Sequence, residues 1–242
     1  MEAKELAEVL SRTLKLASKP VAVQLEPEAE WQPLEVARGY RVCQALFEAS
    51  EGRRLVLDGK RTACSLGAHA LFGKPLPQRL GGGPRASEPG IVASDEVFRK
   101  IAEAQPALAP GAARLAFAPL ETAPTLPHLV AVRGTVEQLM WLARALIWHT
   151  GEPLAFETYT LQSACVDTIA RPLMTGKPGL SLGCCGLREA TGWDDSETSM
   201  GLPLEAALEA GRNLPELEAR IRLTRERGPW EFLEERKRKG KV

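Results

Sequence analysis

No stretch of this chain approaches the roughly 18 consecutive apolar residues that a membrane-crossing helix needs, so a membrane role is not expected. The first residues, Met1-Glu2-Ala3-Lys4-Glu5, lack the positive start of a secretory leader, and a cytoplasmic setting is expected. Net charge is also missing: 31 Lys and Arg balance 31 Asp and Glu. A general nucleic-acid binder neutralises phosphates with excess cations, and that excess is absent here. The basic stretch Arg236-Lys237-Arg238-Lys239 reads as a solvated tail. Aromatics are sparse at 5%, and there are three histidines and five cysteines. No Gly-x-Gly-x-x-Gly, phosphate loop, nucleophile elbow or His-Glu-x-x-His is present, which removes the usual dinucleotide, nucleotide, serine-hydrolase and zinc-protease readings. There is no Cys-x-x-Cys pair of the kind most zinc ribbons use. No residue stands out as catalytic.

What is there is an ordinary globular composition, 44% hydrophobic and 26% charged over 242 residues, enough for one large domain with a buried core. Leu6, Val9, Leu10 and Leu14 recur at helical spacing. Residues 20–25 read as a buried strand, 28–33 as a loop, 42–49 as a helix carrying Cys43, and 54–57 as a strand before an Asp58-Gly59 turn. Cys64 falls at a loop-to-helix junction, and Gly81-Gly82-Gly83-Pro84 reads as a flexible connection or lid. Ser94 is a helix N-cap ahead of Val97, Phe98 and Ile101. Strands follow at 115–120 and 129–132, then a Thr135–Gln138 capping box. Val136, Leu139, Met140, Ala143, Leu146 and Ile147 form the expected apolar face of the next helix, ended by Gly151. Cys165 lies in a helix ended by Pro172 and Gly176, and the C-terminal part reads as helices over 204–210 and 215–225 with Leu217, Ile221 and Leu223 inward. The expectation is one α/β domain, a mixed sheet with helices, divisible into two lobes of similar grammar at 1–110 and 111–242. Cys43 to Cys64 spans 21 positions and Cys165 to Cys184 spans 19, a spacing that also suits an internal duplication.

The chemistry is carried by cysteine. In a reducing compartment thiols serve as ligands, nucleophiles or core residues rather than disulfides. The segment Ser181-Leu182-Gly183-Cys184-Cys185-Gly186-Leu187-Arg188 surrounds two cysteines with glycines, which let backbone approach a bulky group and turn its amides toward sulfur. Arg188 can offset thiolate charge. Adjacent side chains diverge, so one ligand of the pair, Cys184, is expected. With Cys43, Cys64 and Cys165 the set is four, which suits an iron–sulfur cluster or a structural zinc. Cysteines that only pack remain the alternative, since free Cys is among the most buried residue types. His149 reads as a cap at a helix end. His69 is five positions from Cys64, and Asp194, Asp195 and Glu197 form a solvated loop.

With these segments in view, the chain resembles the uncharacterised family called domain of unknown function 169, found in archaea and anaerobic bacteria. The resemblance rests on Pro20-Val21-Ala22-Val23, Cys43-Gln44-Ala45, Cys64 with Gly67, His128-Leu129-Val130-Ala131-Val132, Glu137-Gln138, Cys165, and the Gly183, Cys184, Gly186 and Arg188 pattern. Cys185 falls at a variable position of that pattern. His128 stands where the family pattern carries an aspartate, so no role is assigned to it. The resemblance implies Cys43, Cys64, Cys165 and Cys184 as a shared metal set, with Gly183, Gly186 and Arg188 around the cofactor. It implies no reaction. The expected function is an iron–sulfur protein, 4Fe-4S favoured over zinc or no cofactor, with a redox or sulfur-handling role beside a redox partner protein or a small molecule. The alternatives are a thiol-dependent enzyme using Cys184 or Cys185, and a small-molecule binding domain with packing cysteines.

Overall fold

The computed structural model describes residues 1–32, 34–76, 92–161, 163–227 (backbone alone over 221–227) and 235–240. Gly81-Gly82-Gly83-Pro84 and the side chains of Ile221 and Leu223 lie outside what is described.

Strand alternation builds the two sides of the molecule. In β1 (Val21–Leu25), β4 (Arg114–Pro119) and β5 (Leu129–Thr135), successive side chains point to opposite faces. Val21, Val23, Leu115, Phe117, Leu129 and Ala131 enter one core; Ala22, Ala116, Ala118, Val130 and Val132 enter the other. These strands are buried on both faces and so read as continuous apolar runs rather than as polar-apolar alternation. Each large side chain buried this way contributes about 1.5–3 kcal/mol.

The described strands form one seven-stranded sheet in the order β2-β3-β4-β1-β5-β7-β6. β2 is Glu35–Val36, β3 Leu55–Asp58, β6 Gly179–Ser181 and β7 Glu197–Pro203. Only β2–β3 is parallel; the other pairings are antiparallel. β1 lies between β4 and β5, so a cut near residue 110 does not divide the sheet into two lobes. Helices cover both faces. α1 (Ala3–Leu14), α5 (Val136–Leu146) and α9 (Leu204–Arg227) pack on one side. The other side carries α2 (Val42–Ser50), α3 (Ser65–Phe72), α6 (Ser163–Cys165), a π-helical turn (Val166–Ala170), α7 (Arg171–Thr175) and α8 (Cys185–Ala190). α4 (Asp95–Ala104) adds a small cluster through Phe98 and Ala102, beside Leu66 and Leu161.

Several elements differ from the sequence expectation. The α5 capping box is present, but its buried stripe is Leu139, Leu142 and Leu146, while Val136 is 70% and Met140 43% exposed. The cap residue, Thr135, is also the last residue of β5, so the strand's exit direction sets the helix rotation. α5 stops at Leu146, and Gly151 closes the following turn onto Ile147 O. Pro172 does not end a helix. It sits in the first turn of α7 after the π turn, and Gly176 is the stop. The two C-terminal helices are one, with Pro215 inside α9. Asn213 Nδ2 donates to Ala145 O at 2.8 Å, tying α9 to the C-terminal end of α5. β6 and β7 were not expected; β6 is three residues long, and both carry glycine and small polar residues that give little strand signal.

Where β6 and β7 pair, Gly179 faces Gly201. A Cβ on Gly201 would lie 1.8 Å from Thr168 O, and one on Gly179 2.0 Å from Asp167 O. The π turn therefore rests its carbonyls on a bare patch of sheet. That contact fixes the height of the helical segment bearing Cys165.

Candidate functional site

Four cysteines meet on the α2–α3–α8 side of the sheet, each from a different element. Cys43 is the second residue of α2 and 6% exposed. Cys64 is the N-cap residue of α3. Cys165 ends α6 just before the π turn and is 5% exposed. Cys184 is the N-cap residue of α8, which begins in what the sequence presents as a glycine turn. Cys64 and Cys184 are half-buried and Cys185 is exposed.

Their proximity shows in their electrostatics. The Cys43 thiol is pushed up to about 12, first by burial and then by the charges of Cys184 and Cys64, with Arg41 opposing the rise. Cys165 is pushed well above the usual thiol range, first by burial and then by Cys64, Cys43 and Cys184. Cys185 is not among the groups acting on either thiol. Gly67 sits among them: a Cβ there would lie 3.2 Å from Cys165 Sγ, 3.8 Å from Cys64 Cβ and 3.1 Å from Val42 Cγ2. Among the described residues no three His, Cys, Asp or Glu side chains gather tightly enough to hold a single metal ion. The four thiols are charge-coupled neighbours rather than a closed one-ion cage.

The glycines of the Cys184 segment accommodate guanidinium groups. Gly183 has φ +82°, a left-handed backbone that favours glycine. Its missing Cβ makes room for Arg188, whose Nη2 would be 3.2 Å away. Arg188 donates to the carbonyls of Asp194, Leu182 and Glu197 at 2.7, 3.1 and 3.1 Å, and pairs with Asp195 at 3.5 Å. It folds the segment. The cation that acts on a thiol is Arg41, which sequence reasoning missed. Arg41 Nη1 donates to Gly186 O at 2.8 Å, and a Cβ on Gly186 would lie 2.9 Å from that nitrogen. Gln44 accepts from Arg41 N at 2.9 Å and donates to Ala190 O at 3.2 Å, stitching α2 to α8.

A second residue missed from sequence is Asp167, 1% exposed in the π turn. Thr158 Oγ1 donates to its Oδ2 at 2.6 Å. Burial pushes its carboxyl up to about 6, against the opposing pull of Thr158 and Arg171. The available signal was an acid inside the apolar run from Ala164 to Ala170. π turns interrupt helices frequently at functional sites.

The remaining candidates have other partners. His69 Nδ1 lies 2.8 Å from Lys74 O. His128 Nδ1 accepts from Leu25 N at 3.4 Å. His149 lies 3.9 Å from Glu216 on α9. Asp194 accepts from Ser196 N and Oγ, and Glu197 lies 3.6 Å from Arg133 Nε. No helix among the described residues is long and apolar enough to cross a membrane.

Comparison with known proteins places these cysteines inside one recognised unit. An uncharacterised protein of Methanocaldococcus jannaschii is 26% identical over 214 residues, covering 84% of this chain and 90% of the relative. No solved structure matches. Residues 9–213, which include all five cysteines, match a family described as Uncharacterised ArCR. The chain belongs to that family, domain of unknown function 169.

Proposed function

We propose that Cys43, Cys64, Cys165 and Cys184 together hold an iron–sulfur cluster, of the four-iron type, in a redox or sulfur-handling protein. One observation carries this reading: thiols from four separate elements lie close enough that Cys64 and Cys184 act on both buried thiols, Cys43 and Cys165. Cys43, Cys165 and Cys184 share one apolar cluster, and Gly67 lies between Cys64 and Cys165. The donor set fits such a group, which supplies one-electron transfer when bound and is usually anchored by four thiolates.

The chain's own residues have definable parts in that arrangement. Cys43 and Cys165 are buried and hold their protons tightly in the metal-free state, so loading releases protons. Cys43 and Cys64 sit at the starts of α2 and α3, where backbone N–H groups favour negative charge. Arg41 adds a fixed positive charge. Gly67 leaves the space between Cys64 and Cys165 free of a side chain.

The test is anaerobic purification with iron and acid-labile sulfide analysis. Brown protein with about four of each per chain is expected. Colourless protein lacking both after reconstitution overturns the reading, and stoichiometric zinc instead redirects it to a structural metal. A thiol-dependent enzyme is the second reading, favoured by the exposure of Cys185 beside Cys184. Rapid alkylation of one of these two in metal-free protein, with loss of an activity, supports it. Retained folding and ligand binding with all five cysteines replaced supports the third reading, a small-molecule binding domain in which they only pack.

A further inference from the structure

Cys184 is half-buried and lies at the start of α8, a helix of six residues. Some bonds of its segment are internal: Gly183 N donates to Ser181 Oγ at 3.2 Å, and Arg188 folds back onto Leu182 O. They shape the turn without fastening it to the other thiols. The bonds that reach other elements come from two sides. From α2, Gln44 Nε2 donates to Ala190 O, and Arg41, the residue ahead of that helix, donates to Gly186 O. From α6, Ser163 Oγ donates to Gly183 O at 3.1 Å. Arg41 and Ser163 stand two positions before Cys43 and Cys165. Cys184 is therefore slung between the two segments that carry the buried thiols, with one bond on each side of it.

Ser163 is suited to this contact. It is 0% exposed, and residues 163–170 are buried without interruption. In such a place a hydroxyl without a partner costs free energy, whereas an alanine, as at the neighbouring Ala164, packs with no polar group to satisfy. The bond across to the turn accounts for the hydroxyl. Its other polar neighbour is Asp167, where it opposes the upward push of burial on that carboxyl. A hydroxyl has one proton to donate, and Gly183 O receives it. The left-handed backbone of Gly183 fixes the direction of that carbonyl, and Arg188 packs where its Cβ would be. The glycine, the serine and the arginine thus set one geometry for the peptide that leads into Cys184.

We propose that Ser163 is a positioning residue for Cys184: its bond to Gly183 O, opposite the Arg41 bond to Gly186 O, holds the half-buried thiol against Cys43 and Cys165. The placement of Cys184 follows from the protein's own bonds. Its bearing on iron retention rests on the four-thiol reading above.

The experiment uses the full chain, metal-free and as purified anaerobically. Ser163→Ala removes one oxygen. Two quantities report the turn: NMR-detected hydrogen exchange of the Leu187 and Arg188 amides, which donate to Cys184 O, and iodoacetamide labelling of Cys184 scored against Cys185 in the same molecule. In metal-free Ser163→Ala both the exchange rates and the Cys184-to-Cys185 labelling ratio should rise about fivefold, because opening the turn no longer breaks a hydrogen bond of ordinary strength. Thr168→Ala is the comparison. It removes another wholly buried hydroxyl of the same segment, paired with Ser199 at 2.8 Å, and should lower the melting temperature without moving either quantity. As-purified Ser163→Ala should lose iron to a chelator about fivefold faster than the parent, in step with the opening of the turn. Unchanged exchange and labelling in folded Ser163→Ala, or an equal rise in Thr168→Ala, overturns the positioning role. If Ser163→Ala does not fold, the parent decides: its Leu187 and Arg188 amides should exchange far more slowly than that of Asp195 in the exposed loop, and equal rates overturn the role. The two claims fail separately. A turn loosened by Ser163→Ala in a protein that never holds iron and sulfide keeps the role of Ser163 and removes the cluster, while iron-loaded protein whose Cys184 turn ignores the substitution does the reverse.

Discussion

Replacing Gly201 by alanine tests the link between the sheet and the thiols. The new methyl carbon would lie 1.8 Å from Thr168 O and 2.7 Å from Thr168 C. Both are backbone atoms, so no rotamer change relieves the clash. Reaching an ordinary contact requires the π turn to retreat from the sheet by roughly 1 Å or more, in a core packed as densely as a crystal. Overpacking of this kind costs about 1–3 kcal/mol and occasionally more. At about 2–4 °C per kcal/mol for a chain of this size, the melting temperature should fall by about 2–12 °C. Cys165 directly precedes that turn, so the shift should also loosen the Cys165 corner. Thermal denaturation reads the first effect. Iron content, and alkylation of Cys165 in metal-free protein followed by peptide mass spectrometry, read the second. Gly179→Ala should behave alike. Because Gly179 and Gly201 are register partners under one turn, a single retreat relieves both, and the double variant should lose less than the two single losses combined. A Gly201→Ala protein with unchanged melting temperature and an equally protected Cys165 would refute the reasoning.

Three further outcomes follow from named groups. In metal-free protein at pH 7, iodoacetamide should label Cys185 first and Cys43 and Cys165 last; a buried thiol pushed up to about 12 is thiolate in only about one molecule in 10⁵ at that pH. Peptide mapping showing Cys43 labelled as fast as Cys185 contradicts the burial described. Asp167→Asn should stabilise the metal-free fold at pH 8 and not at pH 4, measured by urea unfolding. The folded carboxyl is raised to about 6 from 3.8, so its protonated form stabilises the fold below pH 4 and that contribution is lost as pH rises through 6. The gain at pH 8 is at most about 3 kcal/mol, and equal gains at both pH values refute it. Arg41→Ala removes the bond to Gly186 O and the charge beside Cys43. It should destabilise the fold by about 1–2 kcal/mol and lower iron loading more than Arg41→Lys does, whereas equal loading by both variants separates Arg41 from the thiol site.

Local chemistry made much of the chain legible before any fold was seen. Leu6, Leu10 and Leu14 mark α1, Ser94 starts α4, and Thr135 with Gln138 caps α5, because these signals act within one or two helical turns. The apolar runs of β1, β4 and β5 are visible because those strands are buried on both faces. The same local view fails at β6 and β7. Their glycines and small polar residues weaken them as strands; pairing with β5 holds β7 in the sheet, and Gly179 and Gly201 leave the bare surface on which the π turn rests. It also fails at Pro172, which sits in the first turn of α7 where a missing N–H is tolerated, and at Pro215, which lies inside α9.

The sequence by itself determined that five thiols exist, that two are adjacent between glycines, and that the chain folds as α/β. Only the tertiary structure decided which thiols interact. Cys43 and Cys165 are 122 positions apart and become neighbours because a seven-stranded sheet brings α2 and α6 onto the same face. It also decided that Arg41 rather than Arg188 acts on Cys43, since electrostatic influence depends on distance through space and not along the chain.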